Sequence, residues 1–232
     1  MNGGECRSWV IVAPMCRTIR WSLAALSLAA VPPLAVPLAA QVASRPEARR
    51  APTAPEASPP VQPQPRPHGT RVRVDPRTVA IDDGDTVVIR WAAEPAETVR
   101  ILGIDTPETR HPEHDIPYGQ ELGEEAAAFA RGAFAAAPSV ELLRSATLDR
   151  FGRTLGYVFL GDRNYSVLVL QARLAEETVT HFGDNGLPRE AAEVLAAARA
   201  AGPPRFESPF LFRARMRDLS AWLKERGLYP PH

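Results

Sequence analysis

The chain has 232 residues, 45% of them hydrophobic, and its 27 Lys and Arg balance 27 Asp and Glu. Such a length suits one globular domain with appendages, and a neutral balance offers no global attraction for a polyanion, so any such site must be local. Both cysteines, Cys6 and Cys16, lie near the start, which leaves the rest of the chain without a disulfide framework, a catalytic thiol or a cysteine-ligated zinc site.

In chain order, residues 16–44 carry Arg17 and Arg20, then the apolar run W-S-L-A-A-L-S-L-A-A-V, then small residues around L-A-A-Q-V-A-S. This is the layout of a secretory signal peptide over residues 1–44, with cleavage expected after Ala40 or, second, after Ser44. Met15 begins a more conventional leader than Met1. An uncleaved anchor is the alternative, opposed by Pro32, Pro33 and Pro37, which break a spanning helix. The processed chain is therefore expected to be exported, secreted or held in the periplasm or cell envelope, and not inserted in a membrane. Losing residues 1–44 removes Arg7, Arg17 and Arg20 against Glu5 and leaves a slight acidic excess. Residues 45–68 are Pro, Ala, Glu, Arg and Gln with almost no large apolar side chain, which predicts a semi-extended linker.

The folded part begins with strand-like segments. R-V-R-V alternates at 71–74, T-V-A-I follows at 78–81, T-V-V-I-R-W at 86–91, and an apolar run covers 98–104. Asp82-Asp83-Gly84-Asp85 is a tight turn, with Gly84 tolerating positive φ. A helix is predicted from about Tyr118 to Ala136, because Leu122, Ala126, Phe129 and Ala133 share a face and Pro138 stops it. S-V-E-L-L and T-L-G-Y-V-F-L read as further strands. Asn164 caps a short helix through Arg173, and Pro188 opens another that ends at Gly202. The domain, residues 69–202, thus reads as α+β, with an antiparallel meander closed into a small barrel as the simplest way to remove sheet edges.

An extension over 203–232 adds a C-terminal helix, started by Ser208-Pro209, stopped at Gly227, and apolar at Phe212, Met216, Leu219 and Leu223. It is expected to lie on the domain and to turn Arg213, Arg215 and Arg217 to solvent. The chain is expected to be a monomer.

The chemistry concentrates in R-I-L-G-I-D-T-P-E-T at 100–109. Pro107 forces Thr106 toward an extended conformation and so fixes the offset between Asp105 and Glu108. Asp105 followed by a kinked Thr106 carbonyl is half of an oxygen site for a hard cation such as calcium. D-T-P-E also resembles a capped helix start, but T-R-H-P-E-H-D-I-P follows it with two more prolines and no helical period. Arg100 lies in an apolar strand, where an unpaired charge is costly, so it needs an anion or a carboxylate such as Glu108. His111 and His114, beside Asp115, read as a solvated loop and not as a transition-metal cluster.

D-G-D-T at 83–86, R-I-L-G-I-D-T-P-E-T at 100–109 and D-R-F-G-R at 149–153 occur in that order. Together they resemble the staphylococcal nuclease family over about residues 72–202. The resemblance implies a five-stranded OB-fold β-barrel with packed helices, calcium, and cleavage of DNA and RNA phosphodiesters. Carried over, it makes Asp85, Asp105 and the Thr106 carbonyl calcium ligands. Glu108 becomes the general base, and Arg100 and Arg153 the phosphate-gripping arginines. Tyr118 matches a loop tyrosine, and Val179 and His181 stand where nucleotide-stacking tyrosines are expected. Glu113 and His114 replace a lysine pair in a loop shorter by one residue. The rival readings are a non-catalytic nucleic-acid-binding barrel and an interaction scaffold that uses the C-terminal helix.

Overall fold

The computed structural model describes residues 61–230, so the leader and the first part of the linker lie outside the described residues. Among the described residues nine strands and five α-helices follow one another. They are β1 (Arg71–Val74), β2 (Val79–Ile81), β3 (Thr86–Ile89), β4 (Glu97–Ile101), β5 (Ile104–Asp105), α1 (Gly123–Ala135), β6 (Val140–Leu148), β7 (Thr154–Leu160) and β8 (Arg163–Asn164). Then come α2 (Tyr165–Gln171), β9 (Glu176–Glu177), α3 (Val179–Phe182), α4 (Pro188–Ala201) and α5 (Pro209–Glu225). Among the described residues no helix is long and apolar enough to cross a membrane.

The main sheet runs β1-β6-β7-β4-β3-β2, with β8 added to β7, while β5 and β9 form a separate two-stranded piece. The arrangement of a mixed sheet with several helices is α+β and OB-fold-like. Two details of the expected barrel are corrected. The hydrogen-bond ladder does not close, since β1 and β2 stand at its two ends. Nor is it wholly antiparallel, because β4 and β7 pair in parallel. The β2 edge is only three residues long and α1 lies beside it; shortness and a covering helix protect an edge without ladder closure.

Alternation explains the core. Val87 and Ile89 from β3, and Val99 and Ile101 from β4, are buried on one face with Leu142 of β6 and Val158 of β7. Phe134 of α1, Val169 of α2 and Val194 of α4 join that cluster. Each such side chain stabilises the fold by roughly 1.5–3 kcal/mol. Asn164 caps α2 by accepting from the Ser166 N–H at 3.0 Å, as its sequence position predicts.

Three further expectations change. The apolar run 98–104 is two strands, because Gly103 turns the chain at φ 81° and Ile104–Asp105 then pair with β9. α1 starts at Gly123 and not at Tyr118, since Leu122 at φ 66° interrupts the helical run and Gln120 is spent on holding the loop before it. Residues 61–68 are not a free linker: the Gln64 side chain is buried and donates to Thr154 Oγ1 at 3.1 Å, and the Pro67 carbonyl accepts from Arg144. Polar bonds dock this arm where composition shows no apolar anchor.

α5 sits on a second, smaller cluster formed by Ile116, Phe212 and Met216, with Leu219 against it. Ile116 belongs to the irregular segment between β5 and α1. The same segment pairs Asp115 with Lys224 and offers the Pro112 carbonyl to the Tyr229 hydroxyl at 2.6 Å.

Candidate functional site

Antiparallel register assembles the site. Thr86 of β3 stands opposite Arg100 of β4, and the Ile101 N–H donates to the Asp85 carbonyl at 2.8 Å. The turn after β4 then returns the chain through Asp105 and Thr106. Asp85 accepts from the Thr106 N–H at 2.7 Å and from the Thr106 hydroxyl at 3.1 Å. Two acids 20 positions apart are thereby brought to one place, with Asp85, Asp105 and Thr106 all buried.

The turn that carries Asp85 is built for this approach. Asp83 Oδ1 accepts from the Asp85 and Thr86 N–H groups at 2.9 and 2.6 Å, and the Tyr165 hydroxyl donates to the Gly84 carbonyl at 2.7 Å. Gly84 is not at positive φ. It is needed because a Cβ there would meet the Thr106 side chain at 2.7–2.9 Å, so closeness, and not dihedral freedom, selects glycine.

Arg100 forms an ion pair with Asp85, donates to Asp105 Oδ1 at 2.8 Å and to the Ile104 carbonyl at 3.2 Å. The carboxylates that the buried charge requires are therefore Asp85 and Asp105, and not Glu108, the structural alternative. Glu108 is paired instead with Arg213 of α5, at 2.5 Å. Arg213 also forks Asp105, with Nη1 to Oδ1 at 3.0 Å and Nη2 to Oδ2 at 2.7 Å. The expected solvated arginine face of α5 is thus corrected at Arg213, whose side chain is 28% exposed.

The loop of Glu108 is fixed by its neighbours after Pro107. Its N–H donates to Gln120 Oε1 at 3.2 Å, its carbonyl accepts from the Gln120 N–H at 2.8 Å, and Gln120 Nε2 reaches the Glu207 carbonyl at 2.5 Å. Gly123 comes so close that a Cβ would lie 2.2 Å from the Glu108 carbonyl oxygen. Gly123→Ala is expected to cost about 1–3 kcal/mol through overpacking. Gly132→Ala on the same helix meets nothing within 4 Å and is expected to gain about 0.5–1 kcal/mol. Thermal melts of the pair check this; equal shifts would refute the crowding argument.

Four carboxylates, Asp83, Asp85, Asp105 and Glu108, face two guanidiniums here. Burial and then the Asp85 charge push Asp83 well above the usual carboxylate range, and the same two causes raise Glu108 against the pull of Arg213. Burial also opposes the charge of Asp85, but Arg100 and the Thr106 bonds outweigh it and hold its carboxyl below the ordinary value. Carboxylates outnumber guanidiniums here, and their oxygens are donors of the kind a hard divalent cation takes. Among the described residues no three His, Cys, Asp or Glu side chains converge as a ready-made metal cluster.

The other expected residues lie outside this network. Arg153, just before β7, donates through Nε to Asp149 Oδ2 at 2.7 Å within the 149–153 turn. The parallel register of β4 and β7 sets Leu155 opposite Arg100, so Arg153, two residues earlier, shares the sheet face of Arg100. Tyr118 is exposed in the loop. His181 is exposed on α3 and meets the Phe182 ring edge to face at 4.5 Å. Val179 is buried, which leaves Phe182, 67% exposed, as the aromatic that α3 presents. Sequence reasoning missed Arg213, Asp83 and Gln120. The apolar stripe of α5 gave no signal for Arg213, which it leaves off the helix's buried face.

Residues 98–202 match the family model described as staphylococcal nuclease homologue. The thermonuclease of Staphylococcus intermedius is 34% identical over 93 residues, which is 40% of this chain and 53% of that protein. The thermonuclease of Staphylococcus hyicus is 29% identical over 100 residues, 43% of this chain and 56% of that one. The chain thus spans about half the length of the curated relatives it matches.

Proposed function

We propose that the chain carries a staphylococcal nuclease-like domain and is a calcium-dependent endonuclease that hydrolyses DNA and RNA phosphodiester bonds. The observation that supports this reading most is the meeting of Asp85, Asp105 and Glu108 with Arg100 at one buried, anionic place. In this reading Asp85, Asp105 and the Thr106 carbonyl hold calcium.

Bound there, calcium supplies a Lewis acid that stabilises charge on the phosphoryl oxygens. The protein's own groups do the rest. Glu108, a carboxylate whose burial raises its basicity, orients the attacking water and accepts its proton. Arg100 holds the acids in place, and with five N–H donors it has capacity for a phosphate oxygen as well. Arg153, just before the neighbouring strand, is assigned to the same phosphate from the sheet side, where its planar fork suits two oxygens. Tyr118 and His181 are assigned to substrate contact only. The leader-like run at 16–44 is the ground for proposing that the activity is exported.

The test is digestion of single-stranded DNA and RNA with calcium or with a chelator, alongside Glu108→Gln. Cutting is expected to require calcium and to fall at least about 100-fold in the variant. Binding of nucleic acid by a folded protein with no turnover would favour the non-catalytic barrel instead.

A further inference from the structure

We infer that Arg213, contributed by the C-terminal helix, is a positioning residue of this site that holds the Glu108 carboxylate beside Asp105. The inference rests on the reading of Glu108 as the group acting on water. It concerns a residue outside the matched span 98–202, on a helix that the three motifs do not include.

The backbone of Glu108 is fixed by Gln120, but its side chain is not. That carboxylate is 12% exposed and lies near the carboxylates of Asp85 and Asp105. Like charges in a poorly solvated place repel, and a glutamate on an irregular loop has free rotamers through which to escape to water. Arg213 opposes that escape. Its Nη1 holds Glu108 Oε1 while the same guanidinium is clamped on both oxygens of Asp105. The fork on Asp105 fixes the plane of the guanidinium, so the remaining bond has one direction. A lysine has three donors but no such plane, so it does not fix the direction of the second bond.

The helix that delivers Arg213 is tied to the loop that delivers Glu108. Phe212 and Met216 flank Arg213 and bury against Ile116 of that loop. Gln120 joins the two a second time, since its Oε1 takes the Glu108 N–H while its Nε2 donates to Glu207, just before the helix. A third tie is Ser208 to Glu176 at 2.6 Å, and Glu176 is the strand partner of Asp105. Each end of the Arg213–Glu108 contact therefore has its own anchor, the arrangement needed to hold a reacting group within a fraction of an ångström.

The experiment is a double-mutant cycle of Arg213→Ala and Glu108→Gln on the full chain, with Arg213→Gln and Arg213→Lys beside it and melting temperatures for each. At saturating calcium, Arg213→Ala is expected to lower kcat about 100-fold with KM unchanged, and to cost nearly nothing more when Glu108→Gln is already present. Arg213→Gln, which preserves most of the side chain's bulk, should behave as Arg213→Ala, and Arg213→Lys should recover part of the rate. Calcium calorimetry supplies the readout apart from activity: because Arg213 shares Asp105, Arg213→Ala should bind the ion as tightly as the wild type or more tightly. Equal losses in both backgrounds, or loss of calcium binding in Arg213→Ala, would overturn the inference while leaving the nuclease reading intact. Undiminished cutting by Glu108→Gln alone would remove the assignment of Glu108, and the inference with it.

Discussion

Arg100→Ala is expected to lose about 100–1,000-fold in kcat, the range seen when one charged-oxygen donor is deleted from an active site, and to lose stability as well. The two effects have one origin. Arg100 lies between Asp85 and Asp105, with its side chain only 18% exposed, and also bonds the Ile104 carbonyl. Without it Asp105 retains Arg213, but Asp85 keeps only the Thr106 and Thr86 bonds. Removing one side of a buried pair costs about 3–5 kcal/mol, because the remaining charge is stranded. Two measurements separate the causes. Urea denaturation without calcium reads the stranded carboxylate, and calcium should restore more stability to Arg100→Ala than it adds to the wild type, since it binds the folded state and neutralises the same acids. Arg100→Lys should rescue charge but not the three-way geometry, so it should recover stability better than rate. An Arg100→Ala protein that unfolds at the wild-type urea midpoint would mean that these acids need no counter-charge.

Much of this site was legible in the sequence because its geometry is local or follows from one strand register. Asp105, Thr106 and Glu108 are spaced by Pro107, and Asp85 and Arg100 are matched by a hairpin whose two strands both alternate. The ends of α5 were legible too, from Ser208-Pro209 and Gly227. What was hidden depends on docking. The apolar stripe Phe212, Met216, Leu219 and Leu223 assigns Arg213 to the solvent side, yet the stripe rests on a loop and not on the main sheet, which turns the helix edge toward the acids. Gly84 reads as a turn glycine, whereas its requirement comes from Thr106 arriving from elsewhere in the chain. The arm at 61–68 escaped a composition argument because that argument counts apolar area, and Gln64, Arg66 and Pro67 are held by polar bonds. Arg144 carried the same warning as Arg100, a charge inside an apolar strand, and its partner Glu97 is more than 40 positions away.

That pair supports the second large expectation. Glu97→Gln should destabilise the domain by about 3–5 kcal/mol at neutral pH, a shift on the order of 10 °C in Tm for a domain of this size. Glu97 and Arg144 are each 4% exposed. Arg144 donates through Nε and Nη2 to the two oxygens of Glu97 at 2.7 and 2.8 Å, while Trp91 Nε1 and the Thr154 hydroxyl add bonds at 2.8 and 2.7 Å. Since Arg144 also reaches Pro67, and Thr154 receives Gln64, the cluster joins β4, β6 and β7 to the 61–68 arm. A glutamine preserves the shape but leaves the guanidinium without a counter-ion. Burial opposes the Glu97 charge, but the Arg144 and Thr154 bonds outweigh it and hold its pKa below the ordinary glutamate value. A depressed carboxylate contributes stability that is fully present above the unfolded pKa, about 4.3, and is lost as pH falls through the folded one. The gap in Tm between wild type and Glu97→Gln should therefore be widest near neutral pH and narrow below about pH 4. Glu97→Gln combined with Arg144→Met should recover part of the loss, because both charges are then gone and only packing remains to be satisfied. A gap that stays constant from neutral to acid pH would show that Glu97 acts through shape and hydrogen bonding, not through its charge.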